Sequence, residues 1–259
     1  MRILFVGEIF GESGKKAAAT LIPEIRHEEN VDFVIANGEN ASKNGFGVSK
    51  KDIDDLLSYG IDCITSGECI WNKKKIVEYL KNSPTALLRP ANYPPGVPGY
   101  GYHIYKDKIG VINLLGRVFL STIDCPFRVS IESIEKISMH TNVIIVDFHA
   151  QTTSEKEALG WHLDGRVSAV IGTHTRVQTA DEKILPGGTA YITDVGMTGA
   201  FNSVTGVKKE QFIEYFLTGI YGKFDPEDGD AELNAVIIDI DDTTGRSKSI
   251  ARIQRKLAL

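Results

Sequence analysis

The sequence contains few cysteines and no long run of apolar residues. Its three cysteines, Cys63, Cys69 and Cys125, form neither a CxxC pair nor an even disulfide framework, so we expect a reducing compartment and a cytoplasmic location. No window approaches the ~18 consecutive apolar residues of a membrane span. The apolar part of "MRILFVGEIFGESGKK" is only as long as one strand, which predicts neither a signal peptide nor a membrane anchor.

An excess of basic residues is also absent. Lys and Arg number 29 against 34 Asp and Glu, which gives a net charge of -5, and no basic run is present that would follow the phosphates of a nucleic acid. We therefore expect no extended nucleic-acid surface and no membrane partner. Because linkers rich in Gly, Pro or Ser, repeats and low-complexity segments are lacking, one domain over residues 1–259 is the simplest interpretation.

Short apolar runs alternate with segments that carry helix-start signals. Most runs are continuous in Val, Ile and Leu, which is typical of strands covered on both faces. Helix starts are indicated by Ser49 with Asp52, by Asn72, and by Ser154 with Glu157. This alternation predicts an α/β sandwich on a largely parallel or mixed sheet. The predicted strands lie in residues 2–8, 31–40, 62–69, 86–92, 109–116, 143–150, 167–175, 189–196 and 234–240.

Polar residues with metal-binding chemistry follow several of these predicted strands. Ligands in open α/β sheets bind at the carboxyl ends of strands, so such residues are expected to converge. Each has an ordinary structural explanation when taken alone, as a hydrogen-bonded histidine, a buried cysteine or a helix-capping carboxylate. Together, carboxylate, amide and imidazole groups favour Mn, Fe or Zn, as in phosphoester hydrolysis. The residues are Glu8, Glu39, Asn40, Glu68, Cys69, His149 and His174.

Four long motifs resemble the YmdB-like family of bacterial calcineurin-type metallophosphoesterases. They are "NGENASKNGFGVS", "RPANYPPGVPGYGY", "VDFHAQTTSEKEALGWHLDGRVSAVIGTHT" and "ILPGGTAYITDVGMTG", and the resemblance extends over nearly the whole chain. It implies a four-layer αββα sandwich, a centre of two metals, usually iron or manganese, and hydrolysis of phosphodiesters, notably 2',3'-cyclic nucleotides. It also implies that Glu39 bridges the metals, that Asn40 is an amide ligand, and that His149 and His174 are imidazole ligands.

The chain departs from the family pattern at four positions. Glu8 stands where the family has Asp, Glu68 where it has Asn, Cys69 where it has His, and Arg176 where it has a metal-binding His. A guanidinium has no acceptor atom and keeps its proton, so Arg176 cannot hold a cation. We expect Arg176 to pair with Glu8 in place of the first metal, with Glu39 as a further candidate partner.

One divalent metal per chain, Fe, Mn or Zn, is therefore expected rather than two. Its ligands would be Glu39, Glu68, His149 and His174, and Cys69 is either a soft ligand that favours zinc or an inert thiol. A thiol is a poor substitute for an imidazole acid, whereas a guanidinium stabilises charge on phosphoryl oxygens. With Cys69 and Arg176 as the catalytic groups, we expect weak or altered hydrolysis.

Two other functions compete with that of an active phosphodiesterase on small nucleotides. The alternative is a catalytically impaired relative that binds a nucleotide or a protein as a regulator. A purely structural scaffold leaves the intact ligand set unexplained. Arg89 and Asn92 are expected to contact the substrate, with a structural role in their loop as the alternative. Association into a homo-oligomer is an expectation from the family resemblance.

Overall fold

The computed structural model describes residues 1–82 and 85–257 and contains two β-sheets. The strand order of the first sheet is β2 (Glu8–Ile9), β11 (Met197–Ala200), β12 (Ala231–Ile240), β1 (Arg2–Val6), β3 (Phe33–Asn37) and β4 (Cys63–Thr65), and β13 (Ser247–Lys256) also pairs with β12. The order of the second sheet is β5 (Tyr102–Tyr105), β6 (Ile109–Leu115), β7 (Val143–His149), β8 (Ala169–Thr173), β10 (Ala190–Ile192) and β9 (Lys183–Ile184).

Both sheets are mixed, as the alternation of strands and helices predicts. Strands β1, β3 and β4 are parallel to one another in the first sheet, and strands β6, β7, β8 and β10 are parallel in the second. Antiparallel pairs complete the sheets, among them the β12–β13 hairpin. Parallel neighbours place their carboxyl ends at one edge of each sheet, which is where ligand-binding residues are expected.

Six α-helices connect the strands of the described chain. They are α1 (Gly11–Glu28), α2 (Lys50–Ser58), α3 (Lys74–Lys81), α4 (Pro126–Ile137), α5 (Thr153–His162) and α6 (Lys209–Thr218), and a short 3-10 helix spans Glu68–Asn72. Within the described residues, no helix is both long enough and apolar enough to cross a bilayer.

Three local predictions need correction. Ser49 and Asp52 do form the capping box of α2, but α5 follows Thr152 without a side-chain cap and α3 follows Lys73 rather than Asn72. Residues 86–92 form only isolated bridges at their two leucines, because the segment contains a proline that cannot donate to a ladder.

The three largest of the four apolar clusters lie between the layers of the fold. Ile3 and Phe5 of β1 pack between the two sheets with Ile145 of β7. The alternate residues of β1 face the opposite way and pack on α1, α2 and α3, while α4 and α5 cover the outer face of the second sheet. Both faces of the central strands are therefore buried, which explains their continuous apolar sequence. Each fully buried Ile or Leu contributes about 1.5–3 kcal/mol.

Candidate functional site

The predicted ligand residues come together at the carboxyl ends of strands from both sheets. Glu8 opens β2 just after β1, Glu39 follows β3, and Glu68 opens the 3-10 helix after β4. His149 is the last residue of β7, and His174 directly follows β8. The carboxylates thus come from the first sheet and the imidazoles from the second. The prediction that these residues converge is confirmed.

Three ligand-type atoms crowd around Nε2 of His149. Glu39 Oε2 lies 2.6 Å away, Glu68 Oε2 2.9 Å and His174 Nδ1 3.0 Å. A ring nitrogen carries at most one hydrogen, so it cannot donate to all three, and both carboxylate oxygens are buried without a hydrogen bond. Atoms that bind one ion at about 2.1 Å lie about 3.0–3.4 Å apart. Glu68, His149 and His174 place ligand atoms within 4.8 Å of one another and could share one cation, and Glu39 lies against the same nitrogen of His149.

A glycine keeps space open beside this cluster. A Cβ atom at Gly67 would overlap both the His149 ring and the Glu39 carboxylate. Gly67 immediately precedes Glu68, so the backbone can pass close to the other ligands while it delivers that carboxylate. Replacement by any larger residue would push the ligands apart.

The protonation of the cluster is set by burial and by its own charges. Burial raises the pKa of Glu39 to about 7. Burial would lower the pKa of His149, but the Glu39 and Glu68 carboxylates outweigh it and raise that pKa well above the usual value. Burial and then the charge of His149 lower the pKa of His174 to about 4. The metal-free cluster therefore holds a proton near neutral pH, and a cation would displace it.

Glu68 behaves in the opposite way to Glu39. Burial would raise the pKa of Glu68, but His149 and then His174 outweigh it and lower the pKa to about 2. Glu68 is thus an ionised carboxylate near neutral pH. It adds one full negative charge at a position where an amide would add none.

Asp147 supports His149 through a threonine. Thr173 Oγ1 donates to Asp147 Oδ1 at 2.7 Å and lies 3.0 Å from His149 Nδ1. Because the hydroxyl proton points to the carboxylate, the oxygen accepts from Nδ1–H of the imidazole. This arrangement selects the tautomer whose Nε2 lone pair faces the cluster, as a metal ligand requires. Asn37 Nδ2 and the Thr65 hydroxyl hold the other carboxylate oxygen.

Arg176 lies inside the site and pairs with Glu8. Its Nε and Nη2 atoms approach Glu8 Oε1 at 3.0 and 2.7 Å, and its Nη1 donates to Thr205 O at 3.0 Å. The guanidinium also stacks on the Phe10 ring at 4.2 Å. Burial would raise the pKa of Glu8, but the charge of Arg176 outweighs it and the pKa is lowered. No nitrogen of Arg176 bonds to Glu39, so the additional pairing with Glu39 is wrong.

The Asn40 side chain is fully hydrogen-bonded within the protein. Its Nδ2 donates to Glu8 Oε1 at 2.8 Å, and its Oδ1 accepts from Gly47 N at 2.9 Å. The amide oxygen expected to bind a metal thus already has a backbone donor. A role for Asn40 as a ligand stays a prediction.

Cys69 lies next to the carboxylates. Its backbone N–H donates to Glu39 Oε1, and its thiol lies within 4.8 Å of ligand atoms of Glu39 and Glu68. Burial and then the Glu39 charge raise the pKa of the thiol well above its usual range. Without a bound cation the sulfur is therefore protonated and holds its proton tightly. All three cysteines are free.

Arg89 and Asn92 lie in a separate loop and bond to its backbone. Arg89 donates to the carbonyls of Pro90, Val97 and Pro98. Every polar side-chain atom of Asn92 pairs with the backbone of Leu115 or Asp124. Both residues therefore brace the loop, and their contact with a substrate stays a prediction.

A cavity of about 920 Å³ lies beside this loop, between β5 and α4. Arg89 and Tyr93 line one end and Lys136 and His140 the other, and none of the clustered ligands lines it. Tyr93 lies close enough to Glu39 and Glu68 for their charges to raise its pKa, after burial. The lining of the cavity thus approaches the cluster at Tyr93.

Several residues of the site carried no signal that we recognised in the sequence. Thr173 contributes its hydroxyl group to the site and Thr205 its backbone carbonyl, and no sequence motif indicates either contact. Gln151 lies 2.7 Å from His174 Nε2, and its place two residues after His149 could have suggested a supporting role. Phe10, two residues after Glu8, could have been noticed as a partner for a cation.

Acidic and imidazole groups that meet above the strands of an α/β protein are typical of metal-dependent hydrolases. The family model described as YmdB-like protein matches residues 4–253, and the chain belongs to this family. It is 45% identical over 256 residues to the 2',3'-cyclic-nucleotide 2'-phosphodiesterase of Bacillus subtilis, covering 98% of this chain and 96% of that protein.

Two crystal structures share the fold over almost the full length. A hypothetical protein from Thermus thermophilus has a TM-score of 0.91 and 37% identity, with 99% of each chain covered. A phosphatase from Mycoplasma pneumoniae has a TM-score of 0.91 and 33% identity, with 99% of this chain and 93% of the other covered. The names of these relatives thus support phosphoesterase activity.

Proposed function

We propose that this protein is a phosphodiesterase of calcineurin-like sandwich fold that acts on small cyclic nucleotides with one divalent metal per chain. The observation that carries the proposal is the convergence of Glu39, Glu68 and His174 on Nε2 of His149. The B. subtilis relative is named for 2',3'-cyclic nucleotides, which makes them the first substrates to test. Iron, manganese and zinc all suit this mixture of carboxylate and imidazole ligands.

The charges of the site favour one cation over two. Glu8, Glu39 and Glu68 supply three negative charges when ionised, and Arg176 supplies one positive charge. A single divalent ion makes this buried set neutral, whereas a second would leave two uncompensated positive charges. Uncompensated charge in a buried site is costly. Arg176 also fills the space in front of Glu8, where a first metal would need open ligands.

The chain's own residues define what chemistry remains. A cation held by Glu39, Glu68, His149 and His174 would supply Lewis acidity and a more acidic bound water. Arg176 adds fixed positive charge near a phosphoryl group, although its nitrogens already serve Glu8 and Thr205. Cys69 is the nearest candidate proton donor, and its raised pKa makes it a weak acid. We therefore propose slow or altered hydrolysis, because a general acid normally contributes about 10²–10⁴-fold.

A second candidate function is that of a regulator that binds nucleotides without turnover. Arg176 closes the first metal position, and the thiol of Cys69 holds its proton; both features favour binding over catalysis. This candidate and the enzyme share the same ligand cluster. They differ in whether metal-loaded protein releases product.

Homo-oligomerisation is proposed from the surface of α6. None of its residues is buried in the monomer, and an exposed apolar face of this size marks a contact surface. The single-domain organisation over residues 1–259, four of which lie outside the described part, and the cytoplasmic location stay predictions. The exposed apolar residues proposed as the contact surface are Ile213, Phe216 and Leu217 of α6 and Ile220 and Tyr221 just after it.

The test is the metal content per chain of protein purified without chelator, for the wild type and Arg176→His. We expect one ion in the wild type and two in the variant, because the histidine restores a ligand where the guanidinium excludes a cation. Arg166→His, at an exposed position, is the matched control and should bind one ion. Two ions in the wild type would refute the role given to Arg176.

Hydrolysis of 2',3'-cyclic nucleotides by metal-loaded protein then separates the two functions. Slow release of product that is abolished in His149→Ala would support the enzyme. Tight binding of the nucleotide without product would support the regulator. No ion and no nucleotide binding in any variant would refute both.

A further inference from the structure

Two residues of the site lie on a strained piece of backbone. His174 has a φ angle of 98° and Arg176 one of 64°, and non-glycine residues rarely adopt either conformation. The residue between them is Thr175. A backbone of this kind persists only where surrounding contacts hold it in place. The contacts that hold it are therefore part of how the site is built.

Thr175 is held by a buried carboxylate. Its backbone N–H and its hydroxyl both donate to Asp194 Oδ2, at 3.0 and 2.7 Å. The other oxygen, Oδ1, accepts from Gly196 N at 2.8 Å, and Asp194 is fully buried. Asp194 follows β10 in the sheet, so it anchors the strained segment to the neighbouring strand end.

A buried lysine completes the arrangement. Lys156 of α5 is 1% exposed, and its Nζ lies 2.7 Å from Asp194 Oδ2. Its side chain crosses close to Gly172 of β8, where an added Cβ would meet Lys156 Cδ at 3.1 Å and would overlap the Thr193 carbonyl. Gly172 thus leaves room for the lysine side chain to reach Asp194. Lys156, Asp194 and Thr175 form what we call the anchor.

We propose that the anchor positions His174 and Arg176, so that a buried Lys–Asp pair outside the ligand cluster sets the geometry of both residues. His174 is one candidate ligand, and Arg176 is the cation that pairs with Glu8. Neither Lys156 nor Asp194 touches the clustered ligand atoms, so both act as positioning residues. The inference rests on the proposed single-metal site only in the part of its test that measures Mn²⁺ binding.

Thr175→Val is the variant that tests the anchor most cleanly. Valine keeps the shape and removes only the hydroxyl bond to Asp194, whereas Thr175→Ser keeps that bond. Thr179→Val is the matched control, because its hydroxyl also bonds to Asp194, at the backbone N–H (2.9 Å), outside the strained segment. The measurements are Mn²⁺ affinity by titration calorimetry and amide hydrogen exchange of residues 174–176.

We expect Thr175→Val to weaken Mn²⁺ binding about 10–100-fold, as changes behind a metal ligand typically do, and to speed exchange of residues 174–176. Thr175→Ser and Thr179→Val should bind Mn²⁺ like the wild type. Lys156→Met leaves the Thr175 bonds in place and should weaken binding less, by up to about 10-fold. Wild-type affinity and exchange in Thr175→Val would overturn the proposal, and wild-type values in Lys156→Met would remove the lysine from the anchor.

The exchange measurement keeps this test separate from the proposed function. Wild-type protein that binds no Mn²⁺ would refute the metal site. Faster exchange in metal-free Thr175→Val than in metal-free Thr179→Val would still support the anchor, and equal exchange in the two would refute it.

Discussion

The ion pair between Arg176 and Glu8 should be worth several kcal/mol, and Arg176→Met measures it. Glu8 is 1% exposed, and Arg176 supplies two of the three short contacts to its Oε1 atom, with Asn40 supplying the third. Loss of one partner of a buried ion pair typically costs about 3–5 kcal/mol.

A second route gives a similar value. Without Arg176, Glu8 can avoid its unpaired charge by taking up a proton. For a carboxyl of ordinary pKa 4.5, protonation at pH 7 costs about 3.4 kcal/mol. We therefore expect Arg176→Met to lose about 3–4 kcal/mol at pH 7 in urea denaturation of metal-free protein, relative to the exposed control Arg166→Met. The loss should shrink by about 1.4 kcal/mol for each unit that the pH falls towards 5.

The double variant Glu8→Gln/Arg176→Met distinguishes the stability lost with the ion pair from the stability lost with the packing of the arginine side chain. It removes both charges and keeps the amide of Asn40 opposite a side-chain oxygen, so its stability should return to within about 1.5 kcal/mol of the wild type. Mn²⁺ should also stabilise the single variant more than the wild type, since a cation can replace the guanidinium. A free Mn²⁺ concentration of 100 times Kd adds about 2.7 kcal/mol to the free energy of unfolding. A single variant that loses under about 1 kcal/mol, or a double variant as unstable as the single one, would refute the reasoning.

Three other changes have defined outcomes. Metal affinity should rise with pH through about 7, because the pKa of Glu39 is raised to about 7 and the protons on Glu39 and His149 must leave before a cation binds. Calorimetry in buffers of different ionisation enthalpy counts the protons released on binding. A metal affinity that stays constant from pH 6 to 8 would contradict the assignment. Cys69→His should hydrolyse a 2',3'-cyclic nucleotide about 10²-fold or more faster than Cys69→Ala, and equal rates in steady-state assays of the two variants would exclude proton donation at this position. Ser49→Ala should cost about 1 kcal/mol of unfolding free energy through loss of the α2 capping box, as measured by urea denaturation; Ser49→Asp keeps an acceptor and should cost far less.

The elements that were predictable from sequence are those whose cause is local. Continuous apolar runs marked the central strands because both faces of those strands are buried, and Ser49 with Asp52 marked the start of α2. Helix α1 was missed because "GESGKKAAATLIPEIRHE" contains glycines, serine and an internal proline, Pro23, that weaken its helical signal. It forms because its apolar face packs on the first sheet, which is a tertiary effect.

The features of the site were likewise predictable where their cause is local and not predictable where it is tertiary. The residue types at strand ends were sufficient to predict the cluster, whereas the Arg176–Glu8 pair was predicted from the family resemblance together with the chemistry of a guanidinium. The hydrogen-bond partners of Arg89 and Asn92 were not predictable, because they depend on where one loop folds back on its own carbonyls. The Thr173 relay from Asp147 to His149 likewise depends on the pairing register of β7 and β8.

The geometry around Glu8 argues for replacement of a metal rather than decay of its site. Random loss of a metal ligand would leave buried carboxylates with no compensating charge, and such groups destabilise the fold unless they take up protons. Instead, Glu8 is held ionised by a guanidinium that is itself fixed on three sides, by Glu8, Thr205 and the Phe10 ring. Arg176 also occupies an unfavourable backbone conformation, which Asp194 stabilises through Thr175. The position of the guanidinium is therefore fixed by the surrounding structure. If one divalent ion binds as proposed, the charge of the site is complete, and hydrolysis would then work without a second ion.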